Sequence, residues 1–460
     1  MNNRIFGTDG VRGTANVEPV TAETALKLGR AAAHVFKNLL NRQARDRRKH
    51  KIVIGKDTRL SGYMLENAIS SGILSMGVDV LFIGPLPTPG VAYITRSLRA
   101  DAGIVITASH NPYADNGIKF FRADGYKLDD QIEGQIEKLV FSGDIEKVRP
   151  AAEEIGKAVR IDDALGRYIE FAKAGFPKNL TLENMRVVVD CGNGAAYKSS
   201  PCVLRELGAD VIVFGNQPDG KNINENCGSM HPESLCAKVV EHKADMGIAH
   251  DGDADRVLLC DENGVLADGD DIMAIAAIDM LTRGTLSEKT LVATVMSNAG
   301  LESAVRKAGG NVIRTAVGDK NVIDEMLKNG YNFGGEQSGH LIFRDFSTTG
   351  DGLIAALQIL RIMRETSRPL SKLVKCWTRY PQLVTNVKVR EKIPFEKLDG
   401  VLAMVSAAEL ELKSAGGRVL LRYSGTEPKA RLLLEGSDED VLKDLSRRIC
   451  GAIEKQIGVS

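Results

Sequence analysis

The chain has 460 residues, and its 60 lysines and arginines balance 60 aspartates and glutamates, so the formal net charge is zero. This length favours about three domains at ~150 residues each. A balanced charge argues against general attraction to nucleic acid or to a membrane surface, and no apolar run approaches the ~18 residues of a membrane helix. The N-terminus lacks the apolar segment of a signal peptide. We therefore expect a cytoplasmic protein whose sites for charged ligands are local.

The seven cysteines favour the same compartment, because they are odd in number and include no CxxC pair. Cys227, His231, Cys236 and His242 could be imagined as a zinc site. The first gap is too wide for such a site, however, and the segment after Ser229 is typical of a helix start. Free thiols are the simpler interpretation.

Three segments share one pattern: an apolar strand, a polar or glycine-bearing loop, an amphipathic helix, a glycine and a second apolar strand. They begin at Lys51, Arg186 and Leu291. Each pattern is typical of a βαβ unit whose strands are covered on both faces. Because the copies recur about every 100–135 residues, they predict three α/β domains of related topology.

Beyond about residue 370 the pattern changes to alternating strands near 385–390 and 417–422, with helices near 394–412 and 438–456. This predicts a small α+β domain at the C-terminus. The predicted fold class is α/β, with three topologically similar mixed α/β domains and a smaller C-terminal α+β domain. The predicted domains are residues 1–160, 161–260, 261–370 and 371–460.

Residues 107–112, here the Ser109 loop, follow the buried strand that begins at Ala102. A small nucleophile at the carboxyl end of a strand lies where α/β sheets place their ligand crevices. The same residue types also form ordinary turns. A hydrolase triad is not indicated, because Ser109 lacks the G-x-S-x-G flanks. A nucleophile and a turn therefore both remain open at this point.

Residues 251–256, here the aspartate loop, follow the predicted strand 246–250. Asp251, Asp253 and Asp255 alternate, so their carboxylates share one side of an extended segment. They would repel one another unless a cation neutralised them, and such hard oxygen ligands suit Mg²⁺ or Mn²⁺. An EF-hand is excluded, because Arg256 stands where that loop requires glycine. The alternative is a solvated acidic turn.

Two further loops contain residues suited to a sugar phosphate. In the glycine-rich loop, residues 334–340, Glu336, Ser338 and His340 alternate and could face one polyol. In the arginine loop, residues 422–428, the guanidinium and hydroxyl groups suit a phosphate, and Arg431 follows shortly after. Each signal alone is weak, since glycine-rich hairpins and capped turns are common.

Taken in order, four segments resemble the four signature motifs of the α-D-phosphohexomutase family. They are TASHNP at 107–112, DGDADR at 251–256, GEQSGH at 335–340 and RYSGTEP at 422–428. Residues 6–13, 227–233 and Gln337 make the chain most similar to the bacterial members that act on glucosamine phosphates. Ala254 and the pair 320–321 depart from the usual pattern without removing a ligand. Because the motifs fall in four predicted domains, the resemblance implies a central cleft that all four domains enclose.

The resemblance implies an isomerase, an intramolecular phosphotransferase that interconverts glucosamine 6-phosphate and glucosamine 1-phosphate through a phosphoserine and a sugar bisphosphate. Ser109 would carry the phosphoryl group and, with the three aspartates of the loop, would hold one Mg²⁺ per chain. Lys119 would move the proton of the sugar hydroxyl, and Arg12, His110 and Arg256 would line the transfer site. Such an enzyme would supply amino-sugar nucleotide and cell-wall precursor synthesis.

The resemblance also implies two groups of ligand-binding residues. The sugar hydroxyls would be bound by Glu336, Ser338, His340 and Asp319. The phosphate that does not react would be bound by Arg422, Ser424, Gly425, Thr426 and Arg431. A homodimer is compatible with this assignment, whereas nucleic acid and membrane partners are not expected. Two alternatives remain: a phosphoglucomutase or phosphomannomutase of the same family, and a metal-dependent sugar-phosphate binding protein without catalysis.

Overall fold

The structure, a computed structural model, describes residues 4–7, 9–41, 49–413, 417–424 and 428–459. The chain forms two compact units. The first comprises Met1–Val295 and Ile313–Val374, and the second comprises Met296–Val312 and Lys375–Ser460. The division of the first unit into three domains stays a prediction.

The first sheet has seven strands in the order β1-β2-β6-β5-β3-β4-β7. They are β1 (Phe6–Gly7), β2 (Gly10–Thr14), β3 (Lys51–Lys56), β4 (Asp79–Pro85), β5 (Ala102–Ile106), β6 (Asp115–Arg122) and β7 (Ala158–Arg160). β3 is parallel to β4 and β5, whereas β6 is antiparallel to β5. Every residue of β5 is buried, so the Ser109 loop leaves the sheet from a central, fully covered strand.

Four helices accompany this sheet: α1 (Ala22–Asn41), α2 (Ser61–Leu74), α3 (Thr88–Ser97) and α4 (Asp130–Ser142). Two glycines let α1 and α2 pack with their backbones in contact. A Cβ on Gly29 would lie 2.2 Å from the carbonyl oxygen of Ile69, and one on Gly72 would lie 2.2 Å from that of Leu26. Any larger residue at either position would push the helices apart.

The second sheet has the strand order β12-β11-β10-β8-β9. Its strands are β8 (Arg186–Asp190), β9 (Asp210–Phe214), β10 (Met246–His250), β11 (Val257–Asp261) and β12 (Leu266–Ala267), and the nearby helices are α5 (Ala164–Ala174), α6 (Ser199–Glu206), α7 (Glu233–Glu241) and α8 (Gly269–Arg283). β10 and β11 are antiparallel neighbours. The aspartate loop is therefore a hairpin connection at the end of a buried strand.

The third sheet has the order β14-β13-β15-β16. Its strands are β13 (Thr290–Thr294), β14 (Asn311–Thr315), β15 (Phe333–Gly335) and β16 (Leu341–Phe343), and the helices α10 (Asp319–Asn329), α11 (Gly352–Thr366) and α12 (Leu370–Leu373) belong to the same part of the chain. β15 and β16 are antiparallel. The glycine-rich loop is thus also a hairpin connection.

The second unit contains a three-stranded antiparallel sheet in the order β17-β19-β18. Its elements are β17 (Gln382–Lys388), β18 (Arg418–Tyr423), β19 (Lys429–Glu435), α13 (Val401–Lys413) and α14 (Glu439–Ile457), together with α9 (Ala299–Lys307). The helix expected from residue 394 begins only at Val401, because residues 395–397 form a single 3₁₀ turn. The predicted fold class, mixed α/β sheets with a smaller C-terminal sheet, is confirmed.

A buried hydrogen bond joins α5 to the start of α11. Tyr168 Oη donates to the two carboxylate oxygens of Asp351 at 3.0 and 3.1 Å. Asp351 also caps α11, since it accepts from the backbone N–H groups of Leu353 and Ile354. Burial raises the pKa of Asp351 to about 6. The folded state therefore holds this proton more tightly than the unfolded chain, whose carboxyl has a pKa of about 3.9.

We expect Tyr168→Phe to lower the free energy of unfolding by about 1–3 kcal/mol, since it removes a donor from a buried carboxylate. The contribution of Asp351 to stability is present at low pH and is lost as the pH rises through about 6. Tyr168 limits that loss by binding the charged form, so the variant should lose more at pH 8 than at pH 5. Urea unfolding at both pH values measures this. The exposed Tyr63→Phe is the control, and an equal loss at both pH values would contradict the prediction.

Candidate active site

Ser109 lies at the carboxyl end of β5 with 2% of its surface exposed. Its Oγ donates to Asp251 Oδ2 at 2.6 Å, and its backbone N–H donates to Thr107 Oγ1 at 2.9 Å. His110 Nδ1 lies 3.3 Å from the same Oγ. The backbone of Ser109 is left-handed, with φ of 51°, which costs about 1–2 kcal/mol for a residue with a Cβ. A turn without a further role requires neither a buried hydroxyl nor this backbone conformation, so both features favour the nucleophile over the ordinary turn.

The three carboxylates of the aspartate loop are buried together. One oxygen from each of Asp251, Asp253 and Asp255 lies within 4.8 Å of the others, and no other group of this kind occurs among the described residues. Burial and the two neighbouring carboxylates raise the pKa of Asp251 well above its usual range. Asp253 Oδ1 and Asp255 Oδ1 are buried and find no hydrogen-bond donor within the described part of the chain. These oxygens fit the ligand set of a hard divalent cation.

Lys119, on β6, is surrounded by three carboxylates. Its Nζ is 3.2 Å from Asp253, 3.7 Å from Asp255 and 2.9 Å from Asp9. Burial opposes the charge, but these three carboxylates outweigh burial and raise the pKa of Lys119. Burial likewise opposes ionisation of Asp255, while Lys119 and His340 hold its pKa well below the usual range. The lysine is therefore protonated in the resting site.

A second lysine continues this arrangement. Lys127 Nζ contacts Asp9 Oδ1 at 2.5 Å and also contacts Asp319. His340 then lies 3.6 Å from Asp319 and 3.5 Å from Asp255, which leads back to the lysine of β6. Burial lowers the pKa of His340, but the two aspartates outweigh it and raise the pKa. Basic and acidic side chains thus alternate around a closed ring that joins the first sheet, the aspartate loop and the glycine-rich loop.

Two residues of this ring, Asp9 and Lys127, were not among the site residues predicted from the sequence. Asp9 belongs to the segment 6–13 that contributed to the family resemblance, so its motif was a usable signal. Lys127 follows a turn after β6, and its neighbours in the sequence distinguish it from no other surface lysine. It reaches the site because it pairs with Phe121 of β6, a strand that itself pairs with β2 and β5.

Three basic side chains complete the surroundings of Ser109. Arg12 Nη2 donates to Asp9 Oδ2 at 2.9 Å, and the backbone N–H of Arg256 donates to Asp251 Oδ1 at 3.2 Å. Burial, together with Arg256 and Arg12, lowers the pKa of His110 to about 4. His110 is therefore a neutral imidazole near physiological pH.

The glycine-rich loop packs against the aspartate loop. The backbones of His340 and Arg256 form an isolated antiparallel β-bridge, and the N–H of Val257 donates to the carbonyl of Gly339 at 3.1 Å. Glu336 is buried and accepts from the N–H of Gly318 at 2.9 Å. Ser338, in contrast, is exposed. The glycine-rich loop thus places Glu336 near the start of α10, where Asp319 lies, and His340 beside the aspartate loop.

The arginine loop belongs to the second unit. Arg422 of β18 lies opposite Arg431 of β19 in the antiparallel ladder, and burial together with Arg431 lowers the pKa of Arg422. Two adjacent guanidinium groups repel one another, and an anion bound to both would relieve this repulsion. Ser424 is buried at the end of β18. The remaining predicted residues, Gly425 and Thr426, lie outside the described residues.

Four parts of the chain match the phosphoglucomutase/phosphomannomutase family. The matches are to alpha/beta/alpha domain I at residues 3–147, domain II at 166–264, domain III at 268–380 and the C-terminal domain at 384–452. The phosphoglucosamine mutase of Syntrophotalea carbinolica is 56% identical over 459 residues, covering 100% of this chain and 99% of that protein. The phosphoglucosamine mutase of Geobacter metallireducens is 58% identical over 455 residues, covering 99% of each. The chain belongs to the phosphoglucosamine mutases of this family.

Solved structures agree with the family at the level of the fold. A phosphoglucomutase/phosphomannomutase family protein of Burkholderia thailandensis has a TM-score of 0.81 at 23% identity, covering 100% of both chains. An N-acetylphosphoglucosamine mutase of Aspergillus fumigatus, solved in complex with GlcNAc-6P and magnesium, has a TM-score of 0.66 at 17% identity over 98% of this chain and 96% of that one. The predicted family and the predicted enzyme class, isomerase, are both confirmed.

The structure brings together most of the residues predicted for the reaction. Within the first unit, one connected set of contacts contains Ser109, His110, Lys119, Arg12, Arg256, Asp251, Asp253, Asp255, Asp319, Glu336 and His340. No described helix is both long enough and apolar enough to cross a membrane.

Proposed function

We propose that this enzyme interconverts glucosamine 6-phosphate and glucosamine 1-phosphate through a phosphorylated Ser109 and a bisphosphorylated sugar. The observation that carries the proposal is the 2.6 Å hydrogen bond from Ser109 Oγ to Asp251 within a buried cluster of three carboxylates. The high identity to phosphoglucosamine mutases over the full chain supports the amino-sugar substrate.

In the proposed reaction, the bond between Ser109 Oγ and phosphorus breaks as a sugar hydroxyl bonds to phosphorus and loses its proton. The sugar bisphosphate then reverses its orientation. The phosphoryl group that the substrate already carried is transferred to Ser109, and the sugar oxygen that it leaves takes the proton back. Lys119 begins protonated, so it relays the proton: it passes one of its own to Asp9, 2.9 Å away, as it takes up that of the hydroxyl, and the second half-reaction reverses both transfers. Arg12, His110 and Arg256 stabilise the phosphoryl group. A sugar bisphosphate is thus both the intermediate and an activator of the enzyme.

Asp251, Asp253 and Asp255, with an oxygen of the Ser109 phosphoryl group, would hold one Mg²⁺. When bound, this ion supplies positive charge that stabilises the negative charge on the transferring phosphoryl group. The three aspartates otherwise repel one another, and the raised pKa of Asp251 reflects that repulsion together with burial. Lys119 offsets only part of this repulsion, because among the three aspartates its ion pairs are with Asp253 and Asp255.

The sugar hydroxyls would be bound by Glu336, Ser338, His340 and Asp319, and the distal phosphate by Arg422, Ser424, Gly425, Thr426 and Arg431. If these residues bind the bisphosphate equally well in both orientations, one site can catalyse both half-reactions. We further propose a cytoplasmic enzyme of four domains with the boundaries 1–160, 161–260, 261–370 and 371–460, which supplies amino-sugar nucleotides for cell-wall precursors and is able to form a homodimer.

Turnover of glucosamine 6-phosphate, compared with glucose and mannose phosphates under the same conditions, tests the substrate. We expect kcat/KM to be highest for the glucosamine phosphate, because the chain is 56% and 58% identical to two enzymes named for that substrate. A clear preference for either neutral sugar would instead make the enzyme a phosphoglucomutase or phosphomannomutase.

A further inference from the structure

Arg59 is a fully buried arginine beside the Ser109 loop, in the turn between β3 and α2. Its Nη2 donates to the carbonyl oxygens of Ser109 and Asn111, both at 2.8 Å. Its Nη1 donates to the carbonyl oxygens of Pro112 at 2.5 Å and Asp115 at 3.2 Å. One side chain therefore binds four backbone carbonyls of the segment that carries the nucleophile.

The remaining donor of Arg59 is also occupied. Its Nε donates to Asp57 Oδ2 at 2.9 Å, and its backbone N–H donates to Asp57 Oδ1 at 2.9 Å. The backbone N–H of Asp57 in turn donates to the carbonyl of Ile106, the last residue of β5. A guanidinium has five N–H donors, and all five are used here. Arg59 consequently has no donor left for a phosphate, and its positive charge is paired with Asp57.

Asn224, in the segment between β9 and α7, binds two of the same carbonyls. Its Nδ2 donates to the carbonyl oxygen of Ser109 at 2.9 Å and to that of Asn111 at 3.1 Å. Asn224 is itself buried, and its backbone N–H donates to the carbonyl of Gly192 at 2.9 Å. Each of the two carbonyls thus accepts one hydrogen bond from the part of the chain that bears the first sheet and one from the part that bears the second.

These contacts hold a backbone conformation that the loop would not adopt by default. Ser109 has a φ of 51°, which residues with a Cβ rarely adopt. Rotation of this residue out of the left-handed region would turn its carbonyl away from both donors and would carry Oγ away from Asp251. The donors that fix the carbonyl therefore also fix the position of the hydroxyl.

We propose that Arg59 and Asn224 are positioning residues for phosphoryl transfer, which set the place of Ser109 Oγ through the carbonyls of its loop. This inference rests on the proposed phosphoserine reaction. Neither residue is catalytic, because all of their donors described above bind backbone or Asp57. Phosphoryl transfer depends on alignment of the attacking and leaving oxygens, so loss of either residue should lower kcat while leaving KM nearly unchanged.

The test compares Arg59→Lys and Asn224→Ala with the wild-type enzyme. A lysine keeps the charge but cannot reproduce the planar fork that spans four carbonyls. We expect kcat to fall about 100-fold in Arg59→Lys and about 10-fold in Asn224→Ala, with KM within about threefold of wild type. Phosphorylation of Ser109 by a hexose 1,6-bisphosphate, followed by intact mass, should slow by similar factors.

Arg344→Lys is the matched control, because Arg344 also donates to backbone carbonyls remote in sequence from the reacting serine, those of Met326 in α10 and Tyr331 just after it. Its kcat should stay within about threefold of wild type. Thermal unfolding verifies that each variant is folded. If Arg59→Lys does not fold, Asn224→Ala decides, since Arg59 still binds the same carbonyls in that variant.

A folded Asn224→Ala or Arg59→Lys with wild-type kcat and a wild-type rate of Ser109 phosphorylation would overturn the inference. A loss confined to KM would overturn it as well. These outcomes differ from a failure of the proposed function, in which the wild-type enzyme itself would not form phosphoserine at position 109 and would turn over no hexose phosphate.

Discussion

Replacing Ser109 with alanine is expected to lower the kcat of the mutase by about 10⁴-fold or more, because the variant lacks the oxygen that accepts and returns the phosphoryl group. The alanine removes one hydroxyl from a hydrogen bond to Asp251 and leaves the carbonyl contacts of the loop in place. The fold and the binding of sugar phosphate should therefore survive. Steady-state turnover measures the loss of activity, and intact mass after incubation with a hexose 1,6-bisphosphate measures the loss of phosphorylation.

Ser71→Ala is a suitable control, because that serine is exposed on α2 and its hydroxyl donates to the carbonyl of Asn67 within the same helix. It should retain wild-type turnover and one phosphoryl group per chain. Turnover of Ser109→Ala within tenfold of wild type would mean that another group carries the phosphoryl group.

Removal of divalent cations is expected to abolish turnover and to lower the thermal stability of the protein. Three buried carboxylates share the space of one cation, and a ligand at one hundred times its Kd stabilises the folded state by about 2.7 kcal/mol. Adding Mg²⁺ to the chelated wild-type enzyme should therefore raise its Tm and restore activity. The rise in Tm is a readout that does not depend on catalysis.

Asp253→Asn should show a smaller Mg²⁺-dependent rise in Tm, because the substitution removes one anionic ligand from the cluster. Asp162→Asn is the control, since its side chain is almost fully exposed and forms a surface ion pair with Arg160. It should respond to Mg²⁺ as the wild type does. Activity that persists after all divalent ions have been removed would refute the assignment of the aspartate loop to a metal.

The sequence predicted those parts of the site that are contiguous in the chain. The aspartate loop could be recognised because alternating carboxylates at the end of a strand point to a cation, whatever the rest of the fold. The four ordered motifs identified the family for the same reason. The periodicity of apolar residues likewise predicted the βαβ units and the change to a smaller α+β region.

Residues that are distant in the sequence were not predicted in the same way. Arg59 and Asn224 reach the carbonyl of Ser109 from positions 50 and 115 residues away, and nothing near either residue in the sequence indicates a nucleophile. Lys127 reads as an ordinary surface lysine until β6 pairs with its neighbours. Its contacts with Asp9 and Asp319 arise only when β2, β6 and the start of α10 come together in the fold.

The sequence by itself therefore indicated which groups are present: a serine, three carboxylates suited to a cation, and groups suited to a sugar phosphate, each within a short segment. The tertiary structure alone decided how that chemistry is held. It placed Ser109 Oγ against Asp251, 142 residues further along the chain, arranged the charges around Lys119 in an alternating ring, and fixed the loop carbonyls on Arg59 and Asn224. Local patterns show which groups are present, whereas distances between segments follow only from the packing of strands and helices.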